Sequence, residues 1–268
     1  MFVGITQIIL YAIGLPVLVF VFLWRHRDEL TKPVVKFRYG LFFSGFTQEK
    51  YYWECIVALR KESTVLLAVF GPQMGIPMLA APVSGNAKVV KAGKLTFAVS
   101  GPEDAYNEAR PYLDAIGRGS SYVGEGELSR FIKICHNVFL GVVIQNMVEI
   151  TVLAEKAGVP RHAFLDFLNN SVMGSMFSRY KTGSLVNLDY SVTFTPKLLL
   201  KDLDLGLAAA RANGVPMPVT AAAREIVQSL IGNGYTDEDF SALLTLHAAA
   251  SGLELKSENK EVSDGLSD

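Results

Sequence analysis

Two cysteines in 268 residues, Cys55 and Cys135, are too few for a disulfide framework and cannot alone hold a structural zinc. The four histidines, His26, His136, His162 and His247, show no H-E-x-x-H or comparable ligand spacing, so no metal site is expected. Neither sign of charge is in excess: 25 Lys and Arg stand against 26 Asp and Glu, without a basic patch interleaved with aromatics. The net charge of −1 therefore gives no electrostatic reason to expect nucleic acid as a partner. Residues 127–158 contain no proline, and no glycine except Gly141 before Gly158. Nothing in that stretch breaks a helix of roughly 45 Å, which Gly158 would close in a left-handed cap.

The apolar residues of this long stretch nearly encircle the helix, so neighbours or a second copy of the chain must cover it. A homo-oligomer through the helical part is expected on that ground. Against the apolar background Arg130, Lys133, His136 and Asn137 stand out, with Lys133 and Asn137 one turn apart on a shared face.

The front of the chain has a different texture. Residues 1–24 carry no charge, and Arg25, His26 and Arg27 follow at once. Such a run is long enough to cross a hydrocarbon layer of about 30 Å, with Trp24 as interfacial anchor and the basic cluster on the cytoplasmic side. A signal peptide would need a basic start and a small-residue cleavage site, and a buried helix is the other plain reading. The expectation is a membrane helix over residues 1–24 with the C-terminal domain in the cytoplasm. If the segment is a fusion artefact, a soluble cytoplasmic protein is expected instead. Residues 27–61 mix aromatics with charges as a segment at the headgroup level does. Residues 63–81, broken by Gly71, Pro72, Gly75 and Pro77, read as a half-span or the entry to a buried strand.

From residue 78 the pattern alternates and then turns helical. Residues 78–85 and 93–101 read as strands, 102–117 as a helix and 121–123 as a third short strand. Helices are expected over 160–168, 198–213, 221–231 and 239–251, and a disordered polar tail over 256–268. The fold class is mainly α. An incomplete Rossmann-like α/β segment, 78–123, leads into an all-α C-terminal domain, 124–255, and a membrane-associated segment, 1–77, precedes both.

Three groups of residues, taken in order, resemble the β-hydroxyacid dehydrogenase family, the group of 3-hydroxyisobutyrate dehydrogenase and tartronate semialdehyde reductase. They are Ala81-Pro82-Val83-Ser84-Gly85-Asn86 with Gly93-Lys94-Leu95-Thr96, then Lys133-Ile134-Cys135-His136-Asn137, then Lys201-Asp202-Leu203. Residues 234–241 look like the family's closing G…D.S segment, so the resemblance runs from about 79 to 255. A second resemblance covers residues 37–62: Arg38-Tyr39-Gly40, Tyr51-Tyr52-Trp53-Glu54 and Arg60-Lys61 look like a juxtamembrane segment of multi-span membrane proteins from ciliates.

The first resemblance implies hydride transfer between NAD or NADP and a small 3-hydroxy acid. It makes Lys133 the general acid/base, a task that needs a lysine pKa lowered by burial. Asn137 would bond the reacting oxygen or steady the lysine. Ser84, Gly85 and Asn86 would hold the substrate carboxylate in a turn with free backbone N–H groups. Phe194 would be a cleft aromatic. Lys201 and Asp202 would close the cleft, with Lys201 near the cofactor. The plain alternatives are a snorkelling Lys133, an ordinary polar Asn137 and a core His136. The sequence departs from the family at His136 for Asn, Asn86 for the second Gly, and Ala80 for Asp.

The G-x-G-x-x-G turn that would cradle a dinucleotide pyrophosphate occurs nowhere in the chain. Gly117-Arg118-Gly119 and Gly124-Glu125-Gly126 lack the third glycine. Two readings stay open. One is a dehydrogenase-family chain that keeps the acid/base lysine, its cofactor half truncated, replaced or supplied by another subunit. The other is a membrane-anchored, non-enzymatic helical module, or a fused gene joined near residues 75–78.

Overall fold

The computed structural model describes residues 14–39, 50 and 52–266. The chain divides into two compact units, Met1–Met78 and Leu79–Asp268. In the first lie α1 (Leu15–Arg25), α2 (Pro33–Tyr39) and α3 (Trp53–Phe70). Pro16 sits in the first turn of α1, where its missing N–H is no loss. Leu23, Leu30 and Cys55 form a small buried cluster with Val19, Phe22 and Val35 around it. Leu18, Phe20, Val21 and Trp24 are exposed.

Residues 1–13 of the expected membrane helix lie outside the described residues. Its described part, α1, has 11 residues. That is about 16 Å, half a hydrocarbon layer. Among the described residues, only Leu128–Lys156 has the length and hydropathy of a span. It is the core helix of the second unit, with Ile144, Val148 and Val152 buried. Of the broken apolar run over residues 63–81, residues 63–70 are the second half of α3, an 18-residue helix that ends before Gly71 and is followed by a short turn at Pro72–Met74. At its far end Ala80 bridges Ser100, an entry to the sheet.

The second unit opens with a three-stranded sheet of β1 (Val83–Ser84), β2 (Thr96–Val99) and β3 (Gly119–Tyr122), in that order. Between β1 and β2 lies the five-residue helix α4 (Ala87–Lys91). β1 runs antiparallel to β2, with Val83 opposite Phe97 and Ser84 opposite Thr96. β2 and β3 are parallel, so their connection must cross over, and α5 (Glu103–Ile116) makes the crossing. Leu95, Phe97, Val99 and Tyr106 are buried together beneath it.

Six helices follow: α6 (Leu128–Lys156), α7 (Arg161–Asn170), α8 (Met176–Asn187), α9 (Pro196–Ala212), α10 (Pro218–Gly232) and α11 (Leu243–Ala250). α6 is the axis, its Ile144, Met147, Val148 and Val152 packing with Leu199, Leu203, Val227, Leu230 and Leu244 in one core. α8 is absent from the reading of the sequence because its apolar and polar residues do not segregate to one face. Its start is nevertheless fixed by a capping box between Ser175 and Ser178.

Two serines tie the sheet to the start of α6. The Ser129 hydroxyl donates to the Ala80 carbonyl at 2.9 Å, and the Ser129 N–H donates to the Ser100 hydroxyl at 3.0 Å. Composition predicted a disordered tail after residue 255, but residues 256–266 are anchored by tertiary contacts. Glu258 accepts from the Arg161 and His162 backbone N–H groups at 2.8 and 2.9 Å, capping α7, whose own N-cap is Pro160. The buried Arg161 guanidinium holds Glu155 at 2.6 Å and donates to the Val186 and Lys256 carbonyls.

α6 and α9 cross where both present glycine. A methyl group on Gly206 would stand 2.1 Å from Val138 Cγ2, and one on Gly141 would stand 2.8 Å from Leu203 Cδ2. Gly206→Ala is therefore expected to destabilise the second unit by about 1–3 kcal/mol through overpacking. Adding Val138→Ala should recover part of that loss in denaturant titrations. Equal or additive losses in the double variant would show that the close approach is not what Gly206 serves.

Candidate active site

α6 carries Lys133, His136 and Asn137 on successive turns facing the end of the sheet. The turn after β1 brings Ser84, Gly85 and Asn86 to the same place, and a cleft of about 310 Å³ lies between them. Phe194 lines it as well. So do Tyr180 and Phe177 of α8 and Thr193, none of which stood out in the sequence. Tyr180 and Phe177 were hidden with their helix, and Thr193 sits in a loop without a motif.

Gly85 has φ +142°, and a methyl there would meet Val89 Cγ1 at 2.9 Å, so the turn requires glycine. Asn86 is different. Its φ of −105° suits any residue, and its side-chain oxygen accepts from the Lys88 and Val89 N–H groups at 3.0 and 3.1 Å. Here the asparagine replacing a family glycine caps α4, and its carbonyl oxygen is already engaged.

A line of hydrogen bonds crosses the cleft floor. Ser84 Oγ lies 2.8 Å from His136 Nε2, and His136 Nδ1 lies 2.9 Å from Asn137 Oδ1. Asn137 Nδ2 donates to Asp202 Oδ2 at 2.7 Å, and Asp202 Oδ1 pairs with Lys201 Nζ at 2.9 Å. Asp202 is buried while the Lys201 side chain is 59% exposed. Lys201 thus acts on the cleft through Asp202, and Asp202 acts through Asn137. Burial pushes the Lys133 amine below its ordinary range, the Asp202 charge opposes that shift, and the Lys201 charge adds to it.

A second ionic group supports the cleft wall. Lys181 Nζ, fully buried, lies 2.6 Å from Asp239 Oδ1 and 4.2 Å from the centre of the Phe240 ring. Asp239 also accepts from the Thr193 N–H at 2.9 Å, the Thr193 hydroxyl at 2.7 Å and the Phe194 N–H at 3.2 Å. Burial opposes the Asp239 charge, but Lys181 and the two Ser241 hydrogen bonds outweigh it and hold this carboxyl below the usual range. The pair therefore fixes the loop that presents Phe194. Burial, with Asp239 nearby, raises the Tyr180 hydroxyl far above its ordinary value, so it stays protonated.

A helix lysine with a lowered pKa, a glycine turn beside a serine, and a carboxamide strut to a second helix thus meet at one cleft. Comparison with known proteins places the chain in a family. The family model for the NAD binding domain of 6-phosphogluconate dehydrogenase matches residues 60–124. The model for the NAD-binding domain of NADP-dependent 3-hydroxyisobutyrate dehydrogenase matches residues 128–247. A mitochondrial protein of Arabidopsis thaliana, named as a probable 3-hydroxyisobutyrate dehydrogenase, is 36% identical over 174 residues, covering 62% of this chain and 50% of its own. The 2-(hydroxymethyl)glutarate dehydrogenase of Eubacterium barkeri is 30% identical over 194 residues, covering 72% and 64%. Among solved structures, a 3-hydroxyisobutyrate dehydrogenase from Salmonella typhimurium superposes with TM-score 0.60 at 28% identity, covering 69% of this chain and 66% of that one. The chain belongs, over residues 60–247, to the β-hydroxyacid dehydrogenase family.

The chain spans between half and two thirds of the length of these relatives. The similarity begins at residue 60, inside α3. The last part of the segment expected to be membrane-associated therefore matches the cofactor domain, and the change of texture near residues 75–78 does not mark its start.

The two charges of the Lys201–Asp202 pair push Lys133 in opposite directions, which gives a signed test. Lys201→Gln should raise the Lys133 pKa and Asp202→Asn should lower it further. Carbon-13 NMR titration of reductively methylated lysines reads both. Shifts of the opposite sign would mean that Lys133 does not feel this pair.

Proposed function

We propose that the second unit carries the proton-transfer half of an NAD- or NADP-dependent dehydrogenase acting on a small 3-hydroxy acid. One observation carries the reading: the Lys133 amine, shifted toward neutrality, lines the same cleft as the Ser84–Gly85 turn. A bound nicotinamide would supply the hydride acceptor. The chain's own residues would do the rest. The Ser84–Gly85 turn would orient the carboxylate of the 3-hydroxy acid, and Phe194 would keep water from its carbon skeleton. Lys133 as free amine would take the hydroxyl proton as the carbonyl forms, and return it as ammonium in the reverse direction. Asn137, held by Asp202, would keep the floor of the cleft rigid beside that amine.

The phosphates of the cofactor are less well provided for. Among the described residues no strand leads through a glycine-rich turn into a helix at the cleft; the turn after β1 enters only the five-residue α4, whose first N–H groups Asn86 already occupies. The chain alone is therefore expected to show no saturable binding of NADH or NADPH at micromolar concentration in a fluorescence titration. Micromolar binding would mean that other residues build the phosphate site. With 3-hydroxyisobutyrate and millimolar NAD or NADP, Lys133→Met should lower any turnover by about 10²–10⁴-fold. Turnover indifferent to this change would remove Lys133 from the chemistry. The second reading, a membrane-anchored non-enzymatic module, draws on the exposed apolar side of α1. No wild-type turnover, together with sedimentation of the chain with membranes, would select it.

We infer too that the helical part pairs with a second copy. An apolar groove of about 870 Å³ runs along α6 and α10, lined by Phe139, Val143, Ile150, Val219 and Ile226 among others. Phe139 and Val219 are largely exposed at its rim. A patch of this kind on a monomer is costly to leave in water. Light scattering after size exclusion should give twice the chain mass for the wild type and the chain mass for Phe139→Asp. A monomeric wild type would overturn this.

A further inference from the structure

The hydrogen bonds under the cleft have a fixed direction. Asp202, ionised against Lys201, can only accept, so the group Asn137 turns toward it must be the amide nitrogen. Asn137 Oδ1 then faces His136 Nδ1 at 2.9 Å, and two acceptors cannot share that contact. His136 therefore carries its hydrogen on Nδ1, an assignment made from the network. In the neutral ring Nε2 is then a bare acceptor, and the Ser84 hydroxyl, 2.8 Å away, donates to it.

The consequence falls on the cleft. With its only hydrogen committed to His136, Ser84 turns lone pairs toward whatever enters, and lone pairs repel a carboxylate. Freeing the hydroxyl hydrogen would leave Nε2 without a partner in a partly buried site, which is unfavourable. Protonation of Nε2 removes the conflict. The imidazolium N–H would donate to Ser84 Oγ, and the hydroxyl hydrogen would turn to the carboxylate.

We propose that His136 couples carboxylate binding at the Ser84–Gly85 turn to the uptake of one proton. The inference rests on the proposed reading of that turn as the carboxylate site. The proton comes from solvent and ends on His136 Nε2; no bond to carbon changes. The groups facing His136 favour such coupling. Lys133 of α6, Lys94 before β2 and Arg118 before β3 all border the cleft, and Tyr180 from α8 stays neutral. From α9, Asp202 is reached through Asn137 and is already shared between Asn137 and Lys201. An arriving carboxylate would supply the counter-charge for an imidazolium beside Ser84. The family's asparagine at this position has no proton to gain, so the linkage belongs to this chain's histidine.

The test is isothermal titration of the full chain with sodium 3-hydroxypropionate at about pH 7.5, in phosphate and in Tris, whose ionisation enthalpies differ. The buffer dependence of the heat should give close to one proton taken up per carboxylate bound. Affinity should fall with rising pH wherever binding takes up the proton. His136→Asn and His136→Gln should bind with uptake near zero, and the uncharged 3-hydroxypropionamide should bind the wild type without uptake. Binding with no buffer dependence would sink the coupling while leaving the carboxylate site standing. Uptake that persists in both variants would sink it too, assigning the proton to Lys133. No binding of the probe to wild type would overturn the carboxylate site and the coupling together. Should neither variant fold, nitrogen-15 spectra of the wild-type histidines decide: His136 Nε2 must move from the bare to the protonated position on adding probe.

Discussion

The geometry of the site depends on how closely two helices approach. Axes of packed helices usually lie 8–10 Å apart, set by the side chains between them. At the crossing of α6 and α9 that layer is thinned to glycine on both sides, Gly206 against Val138 and Gly141 against Leu203. Asn137 precedes Val138 by one residue and Asp202 precedes Gly206 by one turn. The 2.7 Å bond between them is thus a consequence of the crossing. From Asn137 the same rigidity passes to His136 and Ser84, so a packing contact in the helical core orders a turn at the end of a sheet.

A buried lysine and a half-buried one show how neighbours set an amine's surroundings. Burial pushes both amines down from their ordinary value. Lys181 has a carboxylate at 2.6 Å and an aromatic face at 4.2 Å, and its partner accepts five further hydrogen bonds from Thr193, Phe194 and Ser241. An ion pair so enclosed is a strut, since removing either member strands a buried charge. Lys133 has no such companion. The carboxylate that influences it, Asp202, is already engaged with Lys201 and Asn137. An amine that is desolvated but not clamped is what proton transfer needs. Their neighbours set the two amines apart.

The strongly periodic elements were legible from residues alone. The long proline-free stretch became α6 within two residues at each end, and the strand pattern before it became the sheet. The motifs Ser84–Gly85, Lys133, Asn137 and Phe194 do converge on one cleft, as the resemblance implied. What was not legible depends on long-range contacts. α8 shows no amphipathic stripe because both its faces are covered, one by the core and one by the cleft. Arg161 and Glu258 order the tail across nearly a hundred residues of sequence. His136 looked like a core histidine, and nothing local reveals that Ser84 would be its partner 52 residues away.

Acid/base chemistry and cofactor anchorage place different demands on a chain. Proton transfer needs a few side chains held to within a hydrogen-bond length, which one helix crossing and one glycine turn provide. Anchoring a pyrophosphate needs several backbone N–H groups pointing outward from a longer helix, and a glycine turn to let the phosphates approach. The short α4 cannot meet that demand while Asn86 caps it. Similarity to the cofactor-binding family model nonetheless extends back to residue 60, into a helix that composition assigned to a membrane-facing segment. The second unit thus brings Lys133, Asn137 and the Ser84–Gly85 turn to one cleft, with Asn137 fixed by the packing of α6 on α9. The helix crossing that sets the Asn137–Asp202 bond lies within the helical core, at Gly206 against Val138 and Gly141 against Leu203.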